Sequence, residues 1–216
     1  MRKYPKILNA TGKNTYGGDK MIILGITGGS GCGKTTVCEI LSRNGVDVVD
    51  CDIVSRKIVE PNTPALSEIK SFFGDEYIQK DGTLDRKKLA ALVFNSPEKL
   101  EKLNEITHKY VEEYIDLYIA ASNSEIIGLD AAALIESGIY KKCKHVMCVL
   151  ADKEIRKERI MRRDFLSEID ATARICAQKT DEFYIEKSDY IVYNNGNIEE
   201  VNEDILKILN DIRSEI

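Results

Sequence analysis

The strongest constraint on the fold is the stretch at residues 21–36, M-I-I-L-G-I-T-G-G-S-G-C-G-K-T-T. Its first part, residues 22–26, is a short apolar run rich in β-branched residues, which is typical of a strand buried on both faces. The next part follows the pattern G-x-x-x-x-G-K-[ST], whose fixed positions are Gly28, Gly33, Lys34 and Thr35. Residues with helical spacing come next. A strand, a glycine-rich turn and a helix in this order predict a phosphate-binding loop.

The chemistry of this loop follows from its residue types. Glycines let the backbone approach a phosphate chain, and successive N–H groups together with the start of a helix favour an anion. Lys34 is then expected to contact the β and γ phosphates, and the Thr35 hydroxyl to hold Mg²⁺. The sequence therefore predicts a nucleoside-triphosphate site, whose loop residues are Gly29, Ser30, Gly31, Cys32, Gly33, Lys34, Thr35 and Thr36.

Composition limits the alternatives. The 216 residues are enough for one sizeable core, and the net charge of −5 argues against a general nucleic-acid or acidic-membrane binder. No apolar run approaches the ~20 residues that span a bilayer. The six cysteines form no C-x-x-C pair and show no metal-ligand spacing, so a reduced, cytoplasmic protein is expected. Residues 1–20 lack periodicity and are expected to form a flexible extension outside the fold.

A second candidate site element follows the predicted strand at residues 46–49. This strand leads into Asp50-Cys51-Asp52. On a strand end the two carboxylates would point the same way, toward the carboxyl edge of a parallel sheet, where ligands bind in open α/β folds. There a carboxylate can accept a proton from an attacking hydroxyl or hold the metal. Alternatively, the pair caps the start of a helix.

The rest of the chain alternates short apolar runs with helical patterns. Strands are predicted at residues 126–129, 146–150 and 191–193, which gives an α/β, doubly wound parallel sheet. Helices are predicted at residues 53–60, 64–73, 85–94 and 97–121, a block too long for a simple crossover. It is interpreted as an inserted helical substrate domain. His108 lies in this block, and a lone helical histidine is more often a packing or surface residue than a catalytic one.

The most basic stretch is residues 153–163. Arg159 and Arg163 are spaced i, i+4 and share a helix face with Arg156. Two interpretations stay open: a solvated face, since acidic residues are interspersed, or a lid whose arginines neutralise charge on the phosphates. Asn194 opens a turn after the last strand that could present amide groups to a nucleotide base.

The ordered motifs resemble those of the dephospho-coenzyme A (dephospho-CoA) kinase family. They are, with their positions, G-I-T-G-G-S-G-C-G-K-T-T (25–36), V-D-C-D (49–52), V-E-P-N-T-P-A-L (59–66), F-G (73–74), D-G-T-L-D-R (81–86), L-N-E-I-T-H (103–108), E-R-I-M-R-R-D (158–164), Gln178 and N-N-G (194–196). The resemblance implies a P-loop NTPase-type three-layer fold with a five-stranded parallel sheet. Its core would comprise residues 21–60, 122–155 and 187–216, with a helical CoA-binding insertion at 61–121 and a lid at 156–186.

The same resemblance implies an activity, the ATP-dependent phosphorylation of the ribose 3′-hydroxyl of dephospho-CoA, with Mg²⁺. Asp52 resembles the general base, Arg159 and Arg163 match lid arginines that join Lys34 in catalysis, and the acceptor-side residues are Arg86 and His108. Asn194 would lie near the adenine of ATP. ATP and dephospho-CoA are the expected partners of a cytoplasmic monomer that binds neither nucleic acid nor membrane.

The sequence departs from the family pattern at Asn62 (usually Gly), Lys109 (usually Pro), Ala132-Ala133 (usually Pro-Leu) and Arg156 (often Gln). Two rival functions remain: a kinase for a nucleoside or another small metabolite, and a nucleotide-dependent switch. The absence of N-K-x-D after a late strand disfavours a GTPase, and Asp-x-Asp beside the loop suits an acceptor hydroxyl better than a switch.

Overall fold

The computed structural model describes residues 21–216; the expected extension at residues 1–20 lies outside them. Within the described chain one sheet of five parallel strands runs in the order β2-β3-β1-β4-β5. Its strands are β1 (Ile22–Thr27), β2 (Asp47–Asp50), β3 (Ile126–Asp130), β4 (His145–Leu150) and β5 (Tyr190–Tyr193). The predicted α/β class and the five-stranded parallel sheet are confirmed.

Helices connect the strands and cover both faces of the sheet. They are α1 (Lys34–Arg43), α2 (Cys51–Lys57), α3 (Pro64–Phe73), α4 (Arg86–Phe94), α5 (Pro97–Ala121), α6 (Lys153–Asp164), α7 (Glu168–Cys176), α8 (Asp181–Glu186) and α9 (Ile198–Arg213). Their starts follow ordinary capping chemistry: Thr63 and Ser96 accept hydrogen bonds from the first turns of α3 and α5, each of which begins with proline. None of the helices in residues 21–216 has the length and hydropathy required to cross a bilayer.

Two hydrophobic clusters, one on each face of the sheet, pack helices against it and so give a three-layer arrangement. One lies between the sheet and helices α1 and α9, and includes Leu41 and Leu209. The other lies on the opposite side, where helices α2 to α5 contribute residues such as Ile69 and Ile115. The connection between β2 and β3 is therefore a helical block that covers one face of the sheet.

The strand register places the ends of three strands together. Asp50 at the end of β2 is level with Asp130 at the end of β3, and Ile26 of β1 is level with Asp130 from the other side. Because all strands are parallel, the loop after β1, the start of α2 and the side chain of Asp130 share the carboxyl edge of the sheet.

Helices α6 and α7 form a hairpin with a small core of its own, made by Ile160, Ala171 and Ile175. Between the two helices Phe165 adopts a left-handed conformation with φ of 54°, and its side chain is 93% exposed. The sequence predicted α6 but not the separate helices α7 and α8.

Candidate active site

The phosphate-binding loop joins β1 to α1 in a conformation that requires glycine. Gly31 and Gly33 have φ values of 79° and 85°, in the left-handed region. A Cβ on Gly31 would lie 2.5 Å from the backbone carbonyl oxygen of Arg156. One on Gly33 would lie 2.1 Å from the side-chain nitrogen Nδ2 of Asn194. The loop is thus packed against the rest of the protein on its outer side, and its inner side lines an open cavity.

This cavity has a volume of about 430 Å³. It is lined by the loop, by one carboxylate, by Ala132 after β3 and by three arginines of α6. The loop residues are Gly28, Gly29, Ser30, Gly31, Cys32, Gly33, Lys34 and Thr35, the carboxylate is Asp52, and the arginines are Arg159, Arg162 and Arg163. Of the site residues predicted from sequence, four do not line it: Thr36, Arg86, His108 and Asn194.

Lys34, the invariant position of the loop motif, pairs with Asp130 at the end of β3. Both side chains are largely buried, and burial raises the pKa of Asp130 above its ordinary value although the ammonium acts in the opposite direction. Burial alone would lower the pKa of Lys34, but the charge and hydrogen bond of Asp130 raise it. Lys34 is therefore held charged at the cavity before any phosphate is bound.

Asp50 and Asp52 take different positions, and the prediction that both continue a strand end is wrong. The strand stops at Asp50, whose carboxylate caps α2 by accepting a hydrogen bond of 2.8 Å from the N–H of Ile53. Asp52 lies in the first turn of α2, exposed to solvent and lining the cavity. The capping alternative is thus correct for Asp50, which leaves Asp52 as the carboxylate beside the loop.

Arg159 contacts the loop from the side of α6. Its Nη1 donates to the carbonyl oxygens of Gly31 and Cys32, both at 3.3 Å. It also donates to the carbonyl of Asn194 at 3.0 Å, and Nη2 reaches Asn194 Oδ1 at 3.3 Å. These bonds hold the loop in place, while the phosphate contact expected of Arg159 stays a prediction.

Asn194 also holds the phosphate-binding loop in place. Its side chain is buried, with the residue only 4% exposed, and its amide donates to the carbonyl of Gly33 at 3.3 Å. The side-chain oxygen accepts from Arg159. Since both ends of the side chain already have partners in the loop region, the expected adenine contact stays a prediction.

Arg162 and Arg163 lie next to one another but differ in their partners. Arg163 makes two parallel hydrogen bonds to Asp164, at 2.9 and 2.8 Å, which raise the pKa of Arg163 and lower the pKa of Asp164. Asp164 also binds Arg174 of α7. Arg162 is exposed, lines the cavity, and makes no recorded hydrogen bond or ion pair to another described residue.

Arg156 is buried, at 5% exposure, and neither of the two interpretations of the basic stretch describes it. Its guanidinium donates to the Ser30 carbonyl at 3.1 Å, to Asp181 at 3.0 Å and to the Gln178 side chain at 3.0 Å. Gln178 in turn accepts from the N–H of Ser30 at 2.9 Å. Arg156 and Gln178 together fasten the loop to the α6–α7 hairpin.

The acceptor-side residues lie away from this cavity. Arg86 is exposed at the start of α4, where Nη2 donates to the Arg56 carbonyl of α2 at 3.1 Å. His108 is a half-buried residue within α5. Arg86 also lines a second cavity among helices α2 to α5. The structure therefore separates the predicted site into a loop region and a helical region that share α2.

Three residues of the site were missed by sequence reasoning. Asp130 and Arg162 had visible signals, a carboxylate after a predicted strand and an arginine beside Arg163. Gln178 entered only as part of the resemblance, and its contact with Ser30 depends on how α7 folds back.

The hydroxyl of Thr35 and the nearby carboxylates are oxygen donors, the ligand type that Mg²⁺ prefers, so these residues fit the expected metal.

Comparison with known proteins gives a consistent result. The family model described as dephospho-CoA kinase matches residues 22–200. A dephospho-CoA kinase from Corynebacterium glutamicum is 38% identical over 199 residues, which is 91% of this chain and 100% of that protein.

Solved structures agree. A protein from Thermus thermophilus has a TM-score of 0.78 at 30% identity, covering 90% of this chain and 99% of that one. A dephospho-CoA kinase from Campylobacter jejuni has a TM-score of 0.63 at 28% identity, covering 89% and 97%.

Proposed function

The chain belongs to the dephospho-CoA kinase family, and from that premise we propose which of its residues bind and orient the two substrates and which one deprotonates the acceptor hydroxyl. The reaction is the transfer of a phosphoryl group from ATP to the ribose 3′-hydroxyl of dephospho-CoA, the last step of coenzyme A biosynthesis. The observation that carries the proposal is that Asp52 and the phosphate-binding loop line one cavity.

The donor side is built from the loop. Its N–H groups, with the positive end of the α1 dipole, bind the β and γ phosphates, and Lys34 exchanges its contact with Asp130 for a phosphate oxygen. The hydroxyl of Thr35 would hold Mg²⁺, which would supply charge neutralisation at the phosphates. Arg159 and Asn194 keep the loop in the conformation that these contacts need.

The acceptor side is built around Asp52. Its exposed carboxylate orients the 3′-hydroxyl for in-line attack on the γ phosphate and accepts the proton as the new P–O bond forms. Arg86 and His108, in the helical block, contribute to binding of the acceptor. Residues 61–121 accordingly act as the acceptor-binding part, residues 156–186 as the lid, and residues 21–60, 122–155 and 187–216 as the nucleotide-binding core.

Arginines of the lid complete the site. Arg162 and Arg163 of α6 line the same cavity as Asp52, where they can neutralise the charge that spreads over the transferring group. Most of the rate enhancement then comes from positioning and charge stabilisation rather than from covalent chemistry.

The direct test is an assay with Mg²⁺ and ATP, with and without dephospho-CoA. ADP release that depends on dephospho-CoA and yields coenzyme A is expected. Adenosine and other small alcohols serve as the comparison panel. Phosphorylation of adenosine with no turnover of dephospho-CoA, or slow hydrolysis that no acceptor accelerates, would contradict the proposed reaction.

We expect Asp52→Asn to lose most of the turnover while ATP still binds. The substitution keeps the shape of the side chain but removes the proton acceptor, so kcat should fall by about 10²–10⁴-fold. ATP binding is measured separately by calorimetry. Asp50→Asn is the matched control, because Asp50 caps α2 and does not line the cavity. A kcat within a few-fold of the parent for Asp52→Asn would exclude Asp52 as the base.

A further inference from the structure

Ser30 of the phosphate-binding loop is held through both of its backbone polar groups. Its N–H donates to Gln178 Oε1 at 2.9 Å, and its carbonyl oxygen accepts from Arg156 Nε at 3.1 Å. Arg156 Nη2 also donates to Gln178 Oε1 at 3.0 Å, so the three residues close a ring of hydrogen bonds, which we call the Ser30 clamp. Ser30 lines the cavity, whereas Arg156 and Gln178 do not. The clamp therefore holds the loop from outside the cavity.

The clamp fixes the direction of the next N–H group of the loop. In a trans peptide, the carbonyl of one residue and the N–H of the following residue point in opposite directions. No cis peptide bond occurs among residues 21–216, and the Ser30 carbonyl is directed at Arg156. The N–H of Gly31 consequently points away from Arg156. It has no hydrogen-bond acceptor among the described residues, and Gly31 lines the cavity, so this N–H is available to an anion there.

The loop lies so close to Arg156 that two of its residues have no room for a side chain. A Cβ on Gly29 would lie 2.3 Å from Arg156 Nη2, and one on Gly31 would lie 3.0 Å from Arg156 Cα. The motif G-x-x-x-x-G-K-[ST] leaves both positions free, so it does not explain why they are glycine. Contact with Arg156 supplies a reason, because any larger residue at these positions would push the loop off the clamp.

The charge of Arg156 is already paired within the protein. Its Nη1 donates to the Asp181 carboxylate at 3.0 Å, and a guanidinium paired in this way adds little net attraction for a phosphate. The bond to Ser30 depends instead on Nε. Glutamine, which the family often has at this position, carries its amide nitrogen the same number of bonds from Cα as arginine Nε. Lysine has a methylene at that place. Arginine and glutamine can therefore make the same bond to Ser30, and lysine cannot.

We propose that Arg156 is a positioning residue for ATP, which acts through the bond from its Nε to the Ser30 carbonyl and not through its charge. Gln178 shares this role by holding the Ser30 N–H. The clamp presets the direction of the Gly31 N–H, so that no backbone rearrangement has to accompany the binding of the phosphates. The inference rests on the proposed function only in that the loop binds the triphosphate of ATP.

The first test separates geometry from charge. Arg156→Gln keeps a donor at the place of Nε but loses the charge, whereas Arg156→Lys keeps the charge but loses that donor. In calorimetric titrations with a non-hydrolysable ATP analogue, we expect Arg156→Gln to weaken binding by less than about threefold. Arg156→Lys is expected to weaken it by about tenfold or more, because the Ser30 carbonyl loses its partner. Equal effects, or the reverse order, would overturn the proposal.

Lys157→Gln is the matched control. Lys157 is the next residue of α6, and its ion pairs with Glu154 and Glu168 stay within the α6–α7 hairpin without touching the loop. The substitution removes a positive charge and weakens the hairpin, but affinity for the ATP analogue should not change. Urea denaturation gives the stability of each variant. A loss of affinity in Lys157→Gln as large as that in Arg156→Lys would show that hairpin stability, and not the Ser30 bond, is responsible.

The second test acts on the other side of the clamp and remains decisive if Arg156→Lys does not fold. Gln178→Met keeps the length of a half-buried side chain but removes its acceptor for both Ser30 and Arg156. We expect affinity for the ATP analogue to fall by about tenfold. Unchanged affinity would contradict the proposal. Where the double variant Arg156→Lys/Gln178→Met folds, its loss should be smaller than the product of the single losses, since both act on Ser30. Losses that multiply would mean independent roles.

The proposed reaction and the role of the clamp fail separately, because the titrations contain no acceptor. If wild-type protein binds the ATP analogue but does not turn over dephospho-CoA, the proposed function fails while the order of the Arg156 variants still decides the role of the clamp. If the reaction occurs, KM for ATP should follow the same order, with KM for dephospho-CoA changed by less than about twofold. An equal rise in both KM values would mean that the clamp positions the whole lid and not the loop, against the proposal.

Discussion

Helix α6 carries four arginines within eight residues, and burial and partners give each a different task. Arg156 is buried and fastens the loop to the lid. Arg159 is half-buried and donates hydrogen bonds to carbonyl oxygens of the loop. Arg163 is held by Asp164. Arg162 lines the cavity and has no recorded partner among residues 21–216, so it is the arginine that can meet a phosphate without first breaking a bond.

We therefore expect Arg162→Gln to lower kcat by on the order of 10²-fold, since the substitution removes a preorganised positive charge that would stabilise the transferring phosphoryl group. Lys153→Gln is the control, because it removes one positive charge from the same helix at an exposed position outside the cavity. The measurement is steady-state turnover at saturating ATP and dephospho-CoA. Equal losses in the two variants would indicate a general electrostatic effect and remove Arg162 from the site.

For individual residues, the sequence predicted the roles that depend on a short motif or on a position next to a strand. The loop glycines and Lys34 follow from one motif, and Asp52 follows from its place after a strand. The pairing of Lys34 with Asp130 was not predicted, because it requires β3 to lie beside β1. The partners of Arg156 and Asn194 also depend on long-range packing, and a one-dimensional pattern does not contain that information.

Two turn positions show how elements are joined. Asn62, where the family usually has glycine, has φ of 66°, a left-handed conformation that asparagine tolerates well. This departure from the family pattern therefore preserves the backbone. Phe165 at the end of α6 has the same type of conformation, but an aromatic side chain has no local hydrogen bond that compensates for the strain.

Phe165→Asn should raise the free energy of unfolding by about 0.5–1 kcal/mol, because asparagine adopts a left-handed φ with less strain. Phe94→Asn is the matched control: Phe94 is 87% exposed but ends α4 in an ordinary helical conformation, so no gain is expected there. Urea denaturation measures both. A gain of the same size in Phe94→Asn would show that loss of an exposed ring, and not φ, is responsible.

Helices that begin at a visible cap or proline were predicted accurately, whereas two short helices were not predicted. The spans predicted for α3, α4 and α5 agree with the structure to within one residue, since each begins at a cap or a proline that the sequence displays. Helix α2 begins two residues earlier than predicted because Asp50 caps it. Helices α7 and α8 were not predicted as separate elements. Their short apolar sets pack on α6 and β4 rather than forming a long periodic face.

For the molecule as a whole, burial decides which cysteines can react. The structure places Cys32, Cys38, Cys51 and Cys148 in the core, Cys143 half-buried and Cys176 exposed. Burial raises the pKa of Cys51, Cys143 and Cys148 to about 12. Since the thiolate is the reactive form, these three sites hold very little of it near neutral pH.

We expect a thiol reagent such as 5,5′-dithiobis(2-nitrobenzoate) to modify one cysteine per native chain rapidly at pH 8, and all six in urea. Cys176→Ser should abolish the fast phase. The released thiolate is followed by absorbance, and peptide mapping identifies the labelled residue. Rapid labelling of Cys143 or a core cysteine in native protein would contradict the packing described here.

The strand order also has a consequence for how the chain is made. The phosphate-binding loop leaves the ribosome early, but its neighbour Asp130 arrives only after the intervening segment of about 75 residues between β2 and β3. At typical speeds of translation that delay is roughly 4–15 s. During it β1 and β2 have no common partner, because β3 occupies the place between them. A nascent chain stalled before residue 126 should therefore be unable to retain ATP. In the same interval the unpaired strands β1 and β2 are most accessible to chaperones.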